Sequence, residues 1–105
     1  MPPDLGLETE RELDTTLEES EVEEPKAKVI IHNDNVTPYD FVIIILQKIF
    51  QLSPLAAEHV TYIAHTTGAA HVVTLPLAEA RKRVGKAHFA ASLEEYPLTF
   101  TIETE

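Results

Sequence analysis

Asn33, Asp34 and Asn35 place amide and carboxylate oxygens side by side within three residues. Such oxygens accept hydrogen bonds, and Asp34 adds a negative charge. The chemistry on offer is therefore recognition of a donor-bearing group, not bond making or breaking. Val29, Ile30 and Ile31, just upstream, form the β-branched run that a packed strand favours. Downstream, Thr37-Pro38 reads as a helix N-cap and first helical position. The hydroxyl accepts an orphan N–H, and proline lacks the donor that the position would waste. A polar turn held between two buried elements, with its oxygens pointing out of the fold, is a preorganised acceptor site. Taken alone, Asn and Asp are also ordinary turn residues.

The usual catalytic groupings are missing from the sequence. There is no cysteine, so no disulfide, thiolate zinc site or nucleophilic thiol. The three glycines are scattered, which leaves no phosphate-cradling loop. No serine stands in a pattern with His and an acid, and no paired-carboxylate motif occurs. An Asp34–His65 dyad would lack a nucleophile. His32, His59, His71 and His88 show no H-E-x-x-H or i,i+4 spacing, which argues against a metal. His65, three residues before Gly68, has a plain reading as a helix-terminal residue that caps carbonyls or meets the helix dipole. The chain reads as a binding protein and not an enzyme.

The formal net charge of −10 is concentrated at one end. Residues 1–25 hold ten acidic side chains against Arg11 alone, whereas residues 26–105 hold eight acidic and seven basic. Residues 1–25 cannot bury enough apolar surface to offset their ordering entropy, and are expected to be a mostly disordered extension. Leu7, Leu13 and Leu17 would allow a transient amphipathic helix there. Residues 26–105 are expected to form one domain. An acidic chain repels phosphate backbones, so nucleic acid is not an expected partner. The longest apolar run, residues 41–46, is far short of a membrane span. The N-terminus lacks the basic and apolar regions of a signal peptide. A cytoplasmic protein is the expectation.

Residues 27–32 should form a strand and residues 38–50 a helix. Tyr39, Val42, Ile43, Leu46 and Phe50 are spaced for one inward face. Phe41, Ile44, Ile45 and Ile49 make the other side apolar too, and Ile44 with Ile45 would form an exposed contact patch. Ser53-Pro54 repeats the cap signal and opens a helix to about Thr66, with Val60, Ile63 and Ala64 inward. Gly68 suits its left-handed end. A strand over 70–75, a helix over 77–93 and an alternating strand over 98–102 complete the chain. The order is β-α-α-β-α-β. The class is α+β, a sandwich in which a three-stranded antiparallel sheet is covered by three helices.

The combination Asn33-Asp34-x-x-Thr37-Pro38-x-x-Phe41-Val42, then Leu46-Gln47-Lys48, then His65-x-x-Gly68, resembles ClpS. ClpS proteins are small adaptors that deliver N-degron substrates to the AAA+ protease ClpAP or ClpCP. The resemblance implies the same sandwich and no cofactor. It also implies that Asn33, Asn35 and His65, with Asp34 adjacent, meet the α-amino group and first peptide bond of a substrate. The hydrophobic pocket would be walled by Thr37, Tyr39, Val42, Thr61, Ala64 and Leu98. The implied partners are N-degron peptides carrying a first Leu, Phe, Tyr or Trp, and the N-terminal domain of a ClpA or ClpC ATPase. In the family the N-terminal extension engages the protease. Docking on the ATPase would use Arg83 and, beside the family's acidic position at Ala78, Glu79. This chain has Asn35 where the family usually has a second Asp, Tyr39 where it has Met, and Thr61 where it has an apolar residue.

An ammonium group has only donors, so its site must offer acceptors beside an apolar cavity for the first side chain. The alternative is a module that docks on a Clp ATPase, or on another protein, without reading N-termini. The C-terminal domain of the ribosomal stalk protein shares the general architecture, but its glycine- and lysine-rich signature is missing here.

Overall fold

The computed structural model describes residues 24–105, and the expectations for the acidic extension up to residue 23 lie outside them. Three strands, β1 (Lys26–His32), β2 (Ala69–Pro76) and β3 (Thr99–Thr104), form one antiparallel sheet in the order β2-β1-β3. Three helices, α1 (Tyr39–Lys48), α2 (Pro54–Thr67) and α3 (Leu77–Leu93), complete the expected β-α-α-β-α-β order. Because β1 is central, its alternation decides which face is covered. Ala27, Val29 and Ile31 are buried, and the residues between them face outward. Their core partners include Leu46 and Phe50 of α1, Ala64 of α2, and Ala80, Val84 and Ala87 of α3. A bulge between Val29 and Ile30 shifts the β1–β2 register, so that Val29 faces Val73 while Ile30 faces His71.

Small residues on α3 explain its close seat on the sheet. Ala80, Ala87 and Ala91 are buried with Val84, at the spacing of one helical face. Glu24 and Pro25 fix the start of that helix: a Glu24 carboxylate oxygen accepts from Ala78 N at 2.9 Å, and Pro25 O accepts from Leu77 N at 3.0 Å. Ser53 caps α2 as expected, its hydroxyl oxygen accepting from Ala56 N at 3.1 Å. At the other end Gly68 adopts φ 101°, and its carbonyl accepts from Asn33 N at 2.9 Å. A Cβ added at Gly68 would meet nothing within 4 Å, so only the backbone resists substitution. Gly68→Ala is expected to cost about 1–2 kcal/mol, the penalty of a left-handed non-glycine residue. Urea unfolding checks this, and an unchanged midpoint would refute it.

Several expectations for α1 are corrected. Its N-cap is Pro38, not Thr37, because the Thr37 hydroxyl turns back to donate to Asp34. Ile45 is buried at 4 % exposure, so it belongs to the core; Ile44, half exposed, is left alone as the outward apolar residue. Tyr39, expected inward, is 41 % exposed at the helix start. On α2 the deepest residues are Ala57, Thr61 and Ala64, while Val60 and Ile63 pack at the core's edge. Leu98 is buried but precedes β3 instead of starting it.

Candidate functional site

The turn between β1 and α1 is built by Asp34. One of its carboxylate oxygens accepts from Val36 N at 2.8 Å and from Thr37 N at 2.6 Å. The other accepts the Thr37 hydroxyl at 2.9 Å. The expectation that all the turn's oxygens point outward is therefore corrected for Asp34, which is the side chain that closes the turn. Partial burial of this carboxyl opposes ionisation. The bonds from Thr37 N, Val36 N and the Thr37 hydroxyl outweigh that, and hold its pKa below the ordinary carboxylate value. Asp34 is an anion at neutral pH. Among the described residues it is also the only carboxylate lining the cavity beside it.

That cavity, about 190 Å³, lies where the turn, α1, α2 and the segment before β3 meet. Asn33, Asp34, Asn35, His65, Thr37, Tyr39, Val42, Thr61, Ala64 and Leu98 all line it, so every expected binding residue converges on one site. Two further residues line it that the motif spacing did not single out, Ile31 and His32. The period-2 alternation of β1 was the available signal for Ile31. His32 is drawn to the sheet instead, its Nε2 lying 2.8 Å from the Thr101 hydroxyl.

The cavity is divided by chemistry. Val42, Ala64, Leu98 and Ile31 are buried and give it an apolar interior. Thr61 is buried too, but its hydroxyl donates to Ala57 O at 2.7 Å, one turn back in α2. With that polar group satisfied inside the helix, Thr61 acts as a small apolar wall. Around the opening stand Asn33 and Asn35, both exposed, and His65. Among the described residues these three side chains make no hydrogen bond with the rest of the protein, which leaves their acceptors available. Tyr39 packs its ring edge-on to His65, with centroids 5.7 Å apart and planes at 85°. This contact fixes one side of the opening. An engineered apolar cavity of about 150 Å³ admits benzene. The volume here is of the same order.

The two expected docking residues lie elsewhere, on α3. Arg83 Nε donates to a Glu79 carboxylate oxygen at 2.6 Å, and Arg83 Nη1 donates to Ile49 O at 2.9 Å. The bond from Arg83 lowers the Glu79 pKa below its ordinary value. Arg83 thus ties α3 to the end of α1. Lys48, Lys82 and Lys86 line the same surface depression as this pair.

The family model for ATP-dependent Clp protease adaptor protein ClpS matches residues 22–101. The chain belongs to the ClpS family of Clp protease adaptors. It is 34 % identical over 102 residues to the ATP-dependent Clp protease adapter protein ClpS of Nitratidesulfovibrio vulgaris, covering 96 % of this chain and 97 % of that one. It is 36 % identical to the ClpS of Desulfotalea psychrophila, covering 86 % and 89 % respectively. Among solved structures it is similar to Agrobacterium tumefaciens ClpS2 bound to L-phenylalaninamide. That match has TM-score 0.75 and 31 % identity, over 79 % of this chain and all of that one. No helix among the described residues is long and apolar enough to cross a membrane.

Proposed function

We propose that this adaptor binds proteins by a free N-terminus with a bulky hydrophobic first residue (Leu, Phe, Tyr or Trp) and brings them to a Clp AAA+ ATPase. The observation that carries this reading is one cavity with an apolar interior and an acceptor-lined mouth. The first side chain would fill the interior, and complete burial of a Leu or Phe contributes about 1.5–3 kcal/mol. The α-ammonium would sit among Asn33, Asn35 and His65, with the negative charge of Asp34 behind them. Each charge-assisted hydrogen bond there contributes about 1.5–3 kcal/mol. The amino-acid amide bound by the Agrobacterium relative, with one amine and one aromatic side chain, has the same two-part chemistry. Delivery would use the α3 surface around Glu79, Arg83 and Lys82, docked on the N-terminal domain of a ClpA or ClpC ATPase.

The test is fluorescence anisotropy with labelled peptides that begin with Leu or Phe. Acetylating the amino end removes the ammonium and is expected to weaken binding at least about tenfold, the loss of one such bond. Equal binding of free and acetylated peptides would remove the reading. If an ATPase N-terminal domain still captured the protein, a docking module that does not read N-termini would take its place.

A further inference from the structure

Tyr39 walls two features at once. Besides lining the cavity, it borders a shallow groove whose other residues, Leu55, Glu58, His59 and Tyr62, all come from α2. Leu55, His59 and Tyr62 recur at the spacing of one helical face. It is not the face that Ala57, Thr61 and Ala64 bury in the core. Leu55 is 77 % exposed and Tyr62 57 %, so neither apolar side chain is accounted for by packing within the domain. With Tyr39, they place three large apolar or aromatic side chains in one groove directly beside the cavity.

We infer that this groove receives the third residue of the bound peptide and favours a large apolar or aromatic side chain there. The inference rests on the cavity holding residue one, as proposed above. In an extended peptide, alternate side chains point the same way, and residues one and three are about 6.6 Å apart at the rise of a strand. With the first side chain in the cavity, the second faces solvent and the third returns to the protein surface. The neighbouring surface is the groove, because Tyr39 is common to both. The edge-on contact with His65 holds that shared wall in place, so the two subsites keep a fixed spacing. Glu58 in the groove disfavours an acidic third residue by like-charge repulsion.

L-phenylalaninamide reaches only the cavity, whereas hexapeptides beginning Phe-Ser-Leu or Phe-Ser-Ser also cross the groove. Calorimetric titration of the full chain should show Phe-Ser-Leu binding about fivefold tighter than Phe-Ser-Ser, as partial burial of one side chain gives. Leu55→Ser and Tyr62→Ser should each reduce that ratio toward one while phenylalaninamide binding stays unchanged. A ratio near one in the unaltered protein, or one that survives both substitutions, overturns the inference. So does an equal gain when the Leu is moved to position two. If phenylalaninamide itself fails to bind, the cavity reading falls first, and the inference with it. A change in the sedimentation of the peptide-free protein with Leu55→Ser would make the groove a contact between copies of the chain, and would overturn it too.

Discussion

Ala64→Leu is expected to abolish binding of peptides with a bulky free N-terminal residue while the thermal midpoint stays the same or rises. Ala64 is buried on α2 at the cavity wall. Enlarging a core residue usually costs about 1–3 kcal/mol, because a well-packed interior has no room for the added atoms. Here the room is the cavity itself, about 190 Å³. The added carbons gain burial at about 0.8 kcal/mol per CH₂ where they fill it. The same atoms exclude the incoming side chain. The peptide loses the 1.5–3 kcal/mol of that burial, roughly ten- to hundredfold in affinity, and meets steric overlap besides. Paired calorimetric titrations and thermal melts distinguish the outcomes. Binding that survives in a stable variant would show that the cavity is not where the peptide side chain goes. A drop in midpoint with binding intact would show that Ala64 packs the core and does not shape the site.

Which parts of this could be read from the sequence depends on how local the determining physics is. The caps at Ser53 and Gly68, and the alternation through Ala27, Val29 and Ile31, are set by a few adjacent residues, so those elements stand where the pattern puts them. Thr37 is the instructive failure. Its hydroxyl suits an N-cap, but Asp34 lies three residues back with two acceptor oxygens, and the charged partner wins the hydroxyl. Propensity alone does not rank that competition. Ile44 and Ile45 are adjacent and chemically identical. Only the packing of α1 against its neighbours decides that Ile45 is buried and Ile44 exposed. Charge pattern likewise finds Arg83 on α3, but not its bond to the Ile49 carbonyl, 34 residues away. The residues expected to bind line one cavity because the motif that groups them spans the turn and the end of α2. The groove on the outer face of α2 has no sequence signal of its own, since its lining joins Tyr39 of α1 to Leu55 and Tyr62 of α2 only through the packing of the two helices.

Asp34→Ala is expected to lower stability by about 2–3 kcal/mol at pH 7 and to remove peptide binding as well. The stability loss follows from the bonds the carboxylate accepts. Val36 N, Thr37 N and the Thr37 hydroxyl all lose a charged partner, and hydrogen bonds to charged groups contribute about 1.5–3 kcal/mol each, with incomplete additivity in so small a cluster. The binding loss has two sources: the turn that presents Asn33 and Asn35 is no longer closed, and a carboxylate lining the cavity is gone. Asp34→Asn separates them, because the amide oxygen can keep accepting from the backbone while the charge is removed. Its fold should hold better than that of the Ala variant, and peptide binding should still fall. The pH dependence carries a definite sign. The folded carboxyl has a pKa below the ordinary value, near 3.9 in an unfolded chain, so its contribution to stability is complete above about pH 5. It is lost as pH falls through 3.9 toward the folded value. Urea unfolding of the unaltered protein and of Asp34→Asn should therefore differ by a constant amount from pH 5 to 8, and converge below pH 4. Parallel curves down to pH 3 would mean that the charge on Asp34 plays no part in holding the turn.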